Sequence, residues 1–88
     1  MPRTKSLAER IKDYSGTLGP MNDDDLLDEV HRARTAHKAA PAGEKDEAFL
    51  KSQAATAEMT ARFGIGAAER KFRERRAKIE QAGIAGKP

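Results

Sequence analysis

The sequence predicts an all-α protein, a small bundle of three or four helices forming one domain over residues 1–88. Three observations predict it. Ala, Glu, Lys, Arg and Leu dominate the chain, and all are strong helix formers. Isoleucine, valine and the aromatics are sparse and never alternate for long enough to make a half-buried strand. Apolar residues recur instead at spacings of three and four, which places them on one face of a helix.

The first helix is expected from about Ser6 to Tyr14. Ser6 and Glu9 stand in capping-box register, and Leu7, Ile11 and Tyr14 share a face. Ser15-Gly16 is read as its stop and Thr17–Met21 as a loop, because Gly19-Pro20 favours an extended turn. The second helix begins after Asn22, a good N-cap, with Asp23, Asp24 and Asp25 at the positive end of its dipole. Leu26, Val30, Ala33, His37 and Ala40 form its seam, and Pro41 and Gly43 end it. The third spans about Glu44 to Phe63, with Leu50, Ala54, Ala57 and Ala61 as its expected seam, flanked by Phe49 and Phe63. Gly64-Ile65-Gly66 predicts a break, Gly64 left-handed and Ile65 packing back in a Schellman ending; the alternative is one helix over 44–82. The fourth runs from about Ala67 to Gln81 with a thin stripe of Ala68, Phe72 and Ile79. Residues 1–5 and 83–88 are expected to be flexible.

Seventeen large apolar side chains make a thin core, so either close packing through alanine or a second copy of the chain is expected to complete it. No cysteine is present, which excludes disulfides, thiolate metal sites and cysteine nucleophiles. No apolar run approaches the roughly 20 residues of a membrane span. The basic start Met1–Ser6 lacks the apolar region of a secretory signal, so the cytoplasm is the expected compartment. The alanine and arginine content suits a GC-rich bacterium or its phages.

Nothing points to catalysis. The acidic run Asp23, Asp24, Asp25, Asp28 and Glu29 opens a helix and lacks the alternate spacing of a calcium loop. His31 and His37 are six residues apart and share no face as a ligand pair. No serine sits in a nucleophile elbow, and no glycine-rich phosphate loop occurs. No metal, no cofactor and no enzymatic activity are expected.

Net charge is +3, unevenly spread: residues 62–88 carry eight cations against three carboxylates, while the middle of the chain is acidic. Arg70, Lys71, Arg73, Arg75, Arg76 and Lys78 fall within nine residues, and Arg62 lies just before the turn. Such a helix suits phosphate contact, with arginine also able to reach guanine edges. The competing explanation is a solvated face with Glu69–Arg73 and Glu74–Lys78 pairs. The segment Met59–Arg73, a helix ending in Ala-x-Phe-Gly-Ile followed by a tight turn and a basic helix, resembles the helix-turn-helix units of bacterial, phage and plasmid regulators. That resemblance covers about fifteen residues, near 59–78, and implies that the last helix enters the major groove. It departs from the usual pattern where apolar residues are replaced by Arg70 and Arg73, with Phe72 apolar instead. The expected function is a small DNA-binding accessory or regulatory protein, a homodimer on duplex DNA. The rival is a protein-interaction module with no nucleic-acid contact; a sequence pI near 9.5 argues against an acidic DNA mimic.

Overall fold

The computed structural model describes the backbone of residues 5–85, with side chains through Ala82. Four α-helices occupy it: α1 (Leu7–Leu18), α2 (Asp23–Ala39), α3 (Lys45–Phe63) and α4 (Ala67–Ala85). A 3-10 turn, Ala42–Glu44, leads into α3. No strand occurs among the described residues. The all-α bundle is therefore the fold, and Gly64–Gly66 divides α3 from α4. The expected flexibility of residues 1–4 and 86–88 lies outside the described residues; α4 itself continues through Gly83 to Ala85.

Helix α3 is the hub. Its neighbour α2 runs antiparallel to it, as the order of contacts shows: His37 meets Phe49, Arg34 meets Thr56, and Asp23 meets Arg62. On its other side α1 runs parallel, with Arg10 on Glu47, Tyr14 under Lys51, and the Leu18 carbonyl on Arg62. The core is small, formed by Leu18, Leu26, Leu27, Val30, Ala33, Ala55, Met59 and Ala68, with Tyr14, Met21, Ala54, Phe63 and Phe72 packed against it.

Local chemistry sets the helix starts. The Ser6–Glu9 capping box forms at the head of α1, and the Asn22 side chain accepts the Asp25 amide at 2.8 Å at the head of α2. The end of α1 differs from expectation. The helix runs through Gly16 to Leu18, whose side chain is 1% exposed. A mid-helix glycine costs about 1 kcal/mol, whereas burying a leucine returns roughly 1.5–3 kcal/mol. Continuing the helix wins.

The break after α3 also differs in detail. Gly64 has φ +94° and ψ 157°, a positive-φ extended conformation rather than the left-handed helical one of a Schellman ending. Ile65 is 93% exposed and does not pack back. The face of α3 that enters the core is likewise not the expected one. Ser52, Ala55 and Met59 are buried, while Leu50, Ala57 and Ala61 point to solvent and Ala54 is half-buried. Met59 and Leu18 contribute far more apolar surface than any alanine, and their positions fix the rotation of the helix.

Candidate nucleic-acid interface

Helix α4 has little apolar surface with which to bind the bundle. Ala68 is buried, and Phe72 and Ile79 are partly so. Charged clamps do the rest, one in each direction between α2 and α4. Arg34 on α2 grips both carboxylate oxygens of Glu69 at 3.2 and 2.8 Å, and its guanidinium lies 4.7 Å from the centre of the Phe72 ring. Arg75 on α4 grips both oxygens of Asp28 at 3.1 and 3.0 Å and reaches Asp24 at 3.5 Å. Planar two-bond contacts of this kind hold direction as well as distance. The hydrogen bond from Arg75 holds the Asp28 carboxyl below its usual range, and that from Arg34 does the same for Glu69.

These contacts sort the cations read from the sequence. Arg62 is committed inside the molecule. Its guanidinium donates to the carbonyls of Met21 at 2.7 Å, Gly19 at 3.2 Å and Leu18 at 3.3 Å, and it pairs with Asp23 and Glu58. It thereby ties together the carbonyls of the segment that joins α1 to α2, and its side chain is only 20% exposed. Arg75 is committed to Asp28 and Asp24, and Arg76 lies 3.9 Å from Glu80. The acidic run that opens α2 is thus the counter-charge of Arg62 and Arg75.

Four cations of the set remain on the outward face of α4. Arg70, Lys71, Arg73 and Lys78 are exposed and make no ion pair among the described residues. Lys71 lies with its ammonium 5.4 Å from the centre of the Phe63 ring. Glu74 lies among them, and Ala77 and Gln81 complete the surface, with the Arg76–Glu80 pair at the edge beside Arg73. The face therefore carries four unpaired cations against Glu74, and the pair at its edge adds no net charge. The Glu69–Arg73 pair expected from helical spacing is replaced by Glu69–Arg34, which leaves Arg73 without that partner.

The two edges of this face are electrically unlike. A cleft of about 360 Å³ between α2 and α4 sets Asp23 and Asp24 near Lys71 and Lys78, with Leu27 and Phe63 also in its wall. Carboxylates within a Debye length of about 8 Å weaken the field there. Arg70 and Arg73 lie toward the other edge, one helical turn apart. The positions at which the helix-turn-helix pattern has apolar residues are thus outward here, and Ala68, Phe72, Arg75 and Ile79 form the inner side of α4. His31 sits beside Phe72, ring centres 6.4 Å apart, and His37 beside Phe49 at 5.3 Å, both as packing residues. No group of His, Asp and Glu suited to a metal ion occurs among the described residues, and no helix is long and apolar enough to cross a membrane.

The sequence pattern missed the roles of Arg34, Asp28 and Glu69, since a cation and a carboxylate 35 or 47 residues apart carry no local signal. No protein-family model matches the chain, and neither curated proteins nor solved structures provide a match.

Proposed function

We propose that the protein is a non-enzymatic, DNA-binding accessory or regulatory protein that contacts duplex phosphates through the outward face of α4. The observation that carries this reading is the surplus of Arg70, Lys71, Arg73 and Lys78 over Glu74 on one exposed helix. Internal carboxylates occupy Arg62 and Arg75, so the contact set contracts to these four, with Arg76 at its margin. Phosphate oxygens accept from arginine and lysine whatever the sequence, and such contacts supply most of non-specific binding. The α3–turn–α4 pair serves as a helix-turn-helix in this reading, with α4 as the helix presented to the duplex. The protein acts in the cytoplasm, as a homodimer.

A band shift with the full chain on a random duplex at low salt tests the proposal. Retardation that is lost when Arg70, Arg73 and Lys78 are all replaced by alanine is the expected result. No retardation of the wild type at low salt, where non-specific contact is strongest, overturns it and favours a protein partner.

A further inference from the structure

From Phe49 to Ala61, the face of α3 that points away from the bundle carries no charge; Asp46 lies one turn before it on the same face. Phe49 and Leu50 are 43% and 36% exposed, and Gln53, Ala57 and Ala61 are exposed beyond them. The charged residues of this stretch, Lys51 and Glu58, lie on the flank and pair with Glu47 and Arg62. Beside Phe49 is a shallow depression of about 350 Å³ walled by Phe49, Ser52, Gln53, Thr56 and Ala57, again with no charge. In a chain that is 35% charged, three exposed helical turns without a charge are unusual.

We propose that this face binds the same face of a second copy of the chain, the two α3 helices crossing antiparallel about a twofold axis at Gln53. The inference rests on the self-association in the functional reading above and makes no use of α4. Charge argues for a second copy. Each copy carries +3, so most approaches bring like charge together, whereas this face brings only Asp46, which an antiparallel crossing at Gln53 sets opposite Thr60 and away from its own copy. A strongly charged partner would find only Asp46 here to pair with.

Shape selects the antiparallel arrangement. The large side chains, Phe49 and Leu50, stand at one end of the face, and the small ones, Ala57 and Ala61, at the other. Phe49 lies four residues before Gln53 and Ala57 four after it, so a twofold axis at Gln53 sets each phenyl ring against the other copy's Ala57, at the depression beside Thr56. A parallel arrangement would set ring on ring. Each Gln53 carboxamide has both donors and an acceptor, so two related by a twofold axis satisfy one another. Alanines let the helix axes approach to about 8 Å. One helix face is near the lower limit of roughly 1,000 Å² for specific association, so the dimer is expected to dissociate across micromolar concentrations.

The absence of cysteine allows a direct test on the full chain. Gln53→Cys places a single thiol at the axis, and Ala77→Cys places one on the exposed face of α4 for comparison. Under mild oxidation Gln53→Cys should form a disulfide-linked dimer faster than Ala77→Cys by a factor of about 10 or more, because association raises the local thiol concentration. Adding Ala57→Arg should remove that advantage. Ala57 is exposed, so circular dichroism should show the arginine variant still folded. Equal rates for the two thiols, an advantage that survives Ala57→Arg, or wild type sedimenting as a monomer up to about 100 μM overturns the proposal. No nucleic acid enters either measurement, so its failure leaves the reading of α4 standing, and the reverse also holds.

Discussion

Glu29 is the residue on which the local physics is sharpest, because it is a carboxylate only 7% exposed in a bundle with a thin core. Its charge is held by three donors: the Tyr14 hydroxyl at 2.5 Å, and the Arg32 Nε and Nη at 2.9 and 2.5 Å. Burial and the neighbouring carboxylate push the Tyr14 hydroxyl well above its ordinary range, which keeps it a proton donor at neutral pH. Tyr14→Phe removes one donor while keeping the ring. It should lower stability by about 1–2 kcal/mol, read from thermal or urea melts, since a buried acceptor is then left short of a partner. An unchanged melt would mean that Glu29 is satisfied without Tyr14. Gly64 makes a second test. A β-carbon there would meet nothing within 4 Å, so any penalty comes from its φ of +94° rather than from a clash. Gly64→Ala should destabilise by roughly 1–3 kcal/mol. A gain of about 1 kcal/mol would mean that α3 and α4 form one continuous helix in solution.

At the scale of the helices, what could be read from the sequence depended on how strongly each side chain marks its face. Leu26, Val30 and Ala33 repeat at helical spacing on α2, and all three are buried as the pattern implies. The capping residues Ser6 and Asn22 act through their neighbours three positions on, so both starts were legible. Helix α3 was not. Its alanines occur on every side, and alanine gains too little from burial to orient a helix, so Ala55 is buried while Ala57 is exposed. The end of α1 was hidden because Leu18 acquires its value only from tertiary contact.

The candidate site was legible as a basic helix but not as a set of free cations. Arg62 and Arg75 find carboxylates 39 and 47 residues away, and no local rule reveals such partners. Their commitment predicts different phenotypes along the chain. Arg62→Ala should lower stability by roughly 1–3 kcal/mol, because it removes the donor to the part-buried Met21 carbonyl and the tie between the α1–α2 segment and α3, whereas Arg70→Ala should leave the melting temperature nearly unchanged. Equal effects of the two on the melt would contradict this division.

The docking of α4 further predicts acid sensitivity. The hydrogen bonds from Arg75 and Arg34 hold the Asp28 and Glu69 carboxyls below the usual carboxylate range in the folded chain, so near that range the folded state binds fewer protons than the unfolded one. Their contribution is complete above the ordinary carboxylate range and is lost as pH falls below about 4 through the folded-state range. Both groups are partly exposed, so the effect is modest and weakened by salt. Melting temperature measured from pH 6 to pH 2 should fall more gently in Asp28→Asn than in wild type. Identical pH profiles would show that the Arg75–Asp28 clamp contributes nothing to docking.

For the whole molecule, the acidic head of α2 and the basic α4 neutralise one another where they meet and leave a positive surface on the outside only. The charge excess of the C-terminal third thus faces solvent on one helix face, while α3 offers a neutral face elsewhere. In the reading proposed above, the two faces take different tasks, phosphate contact and self-association. The most direct test of the functional claim is the salt dependence of duplex binding, followed by fluorescence anisotropy with a labelled random duplex. Each phosphate contact adds about −0.9 to the slope of log affinity against log salt. Alanine at Arg70, Arg73 or Lys78 should each flatten that slope by about one unit and weaken binding alike on all sequences. Conservative replacement of Arg75 by lysine, which keeps the charge but loses the two-bond grip on Asp28, should leave the slope nearly unaltered. A slope that stays the same when Arg70, Arg73 and Lys78 are removed together from a folded protein would contradict the account.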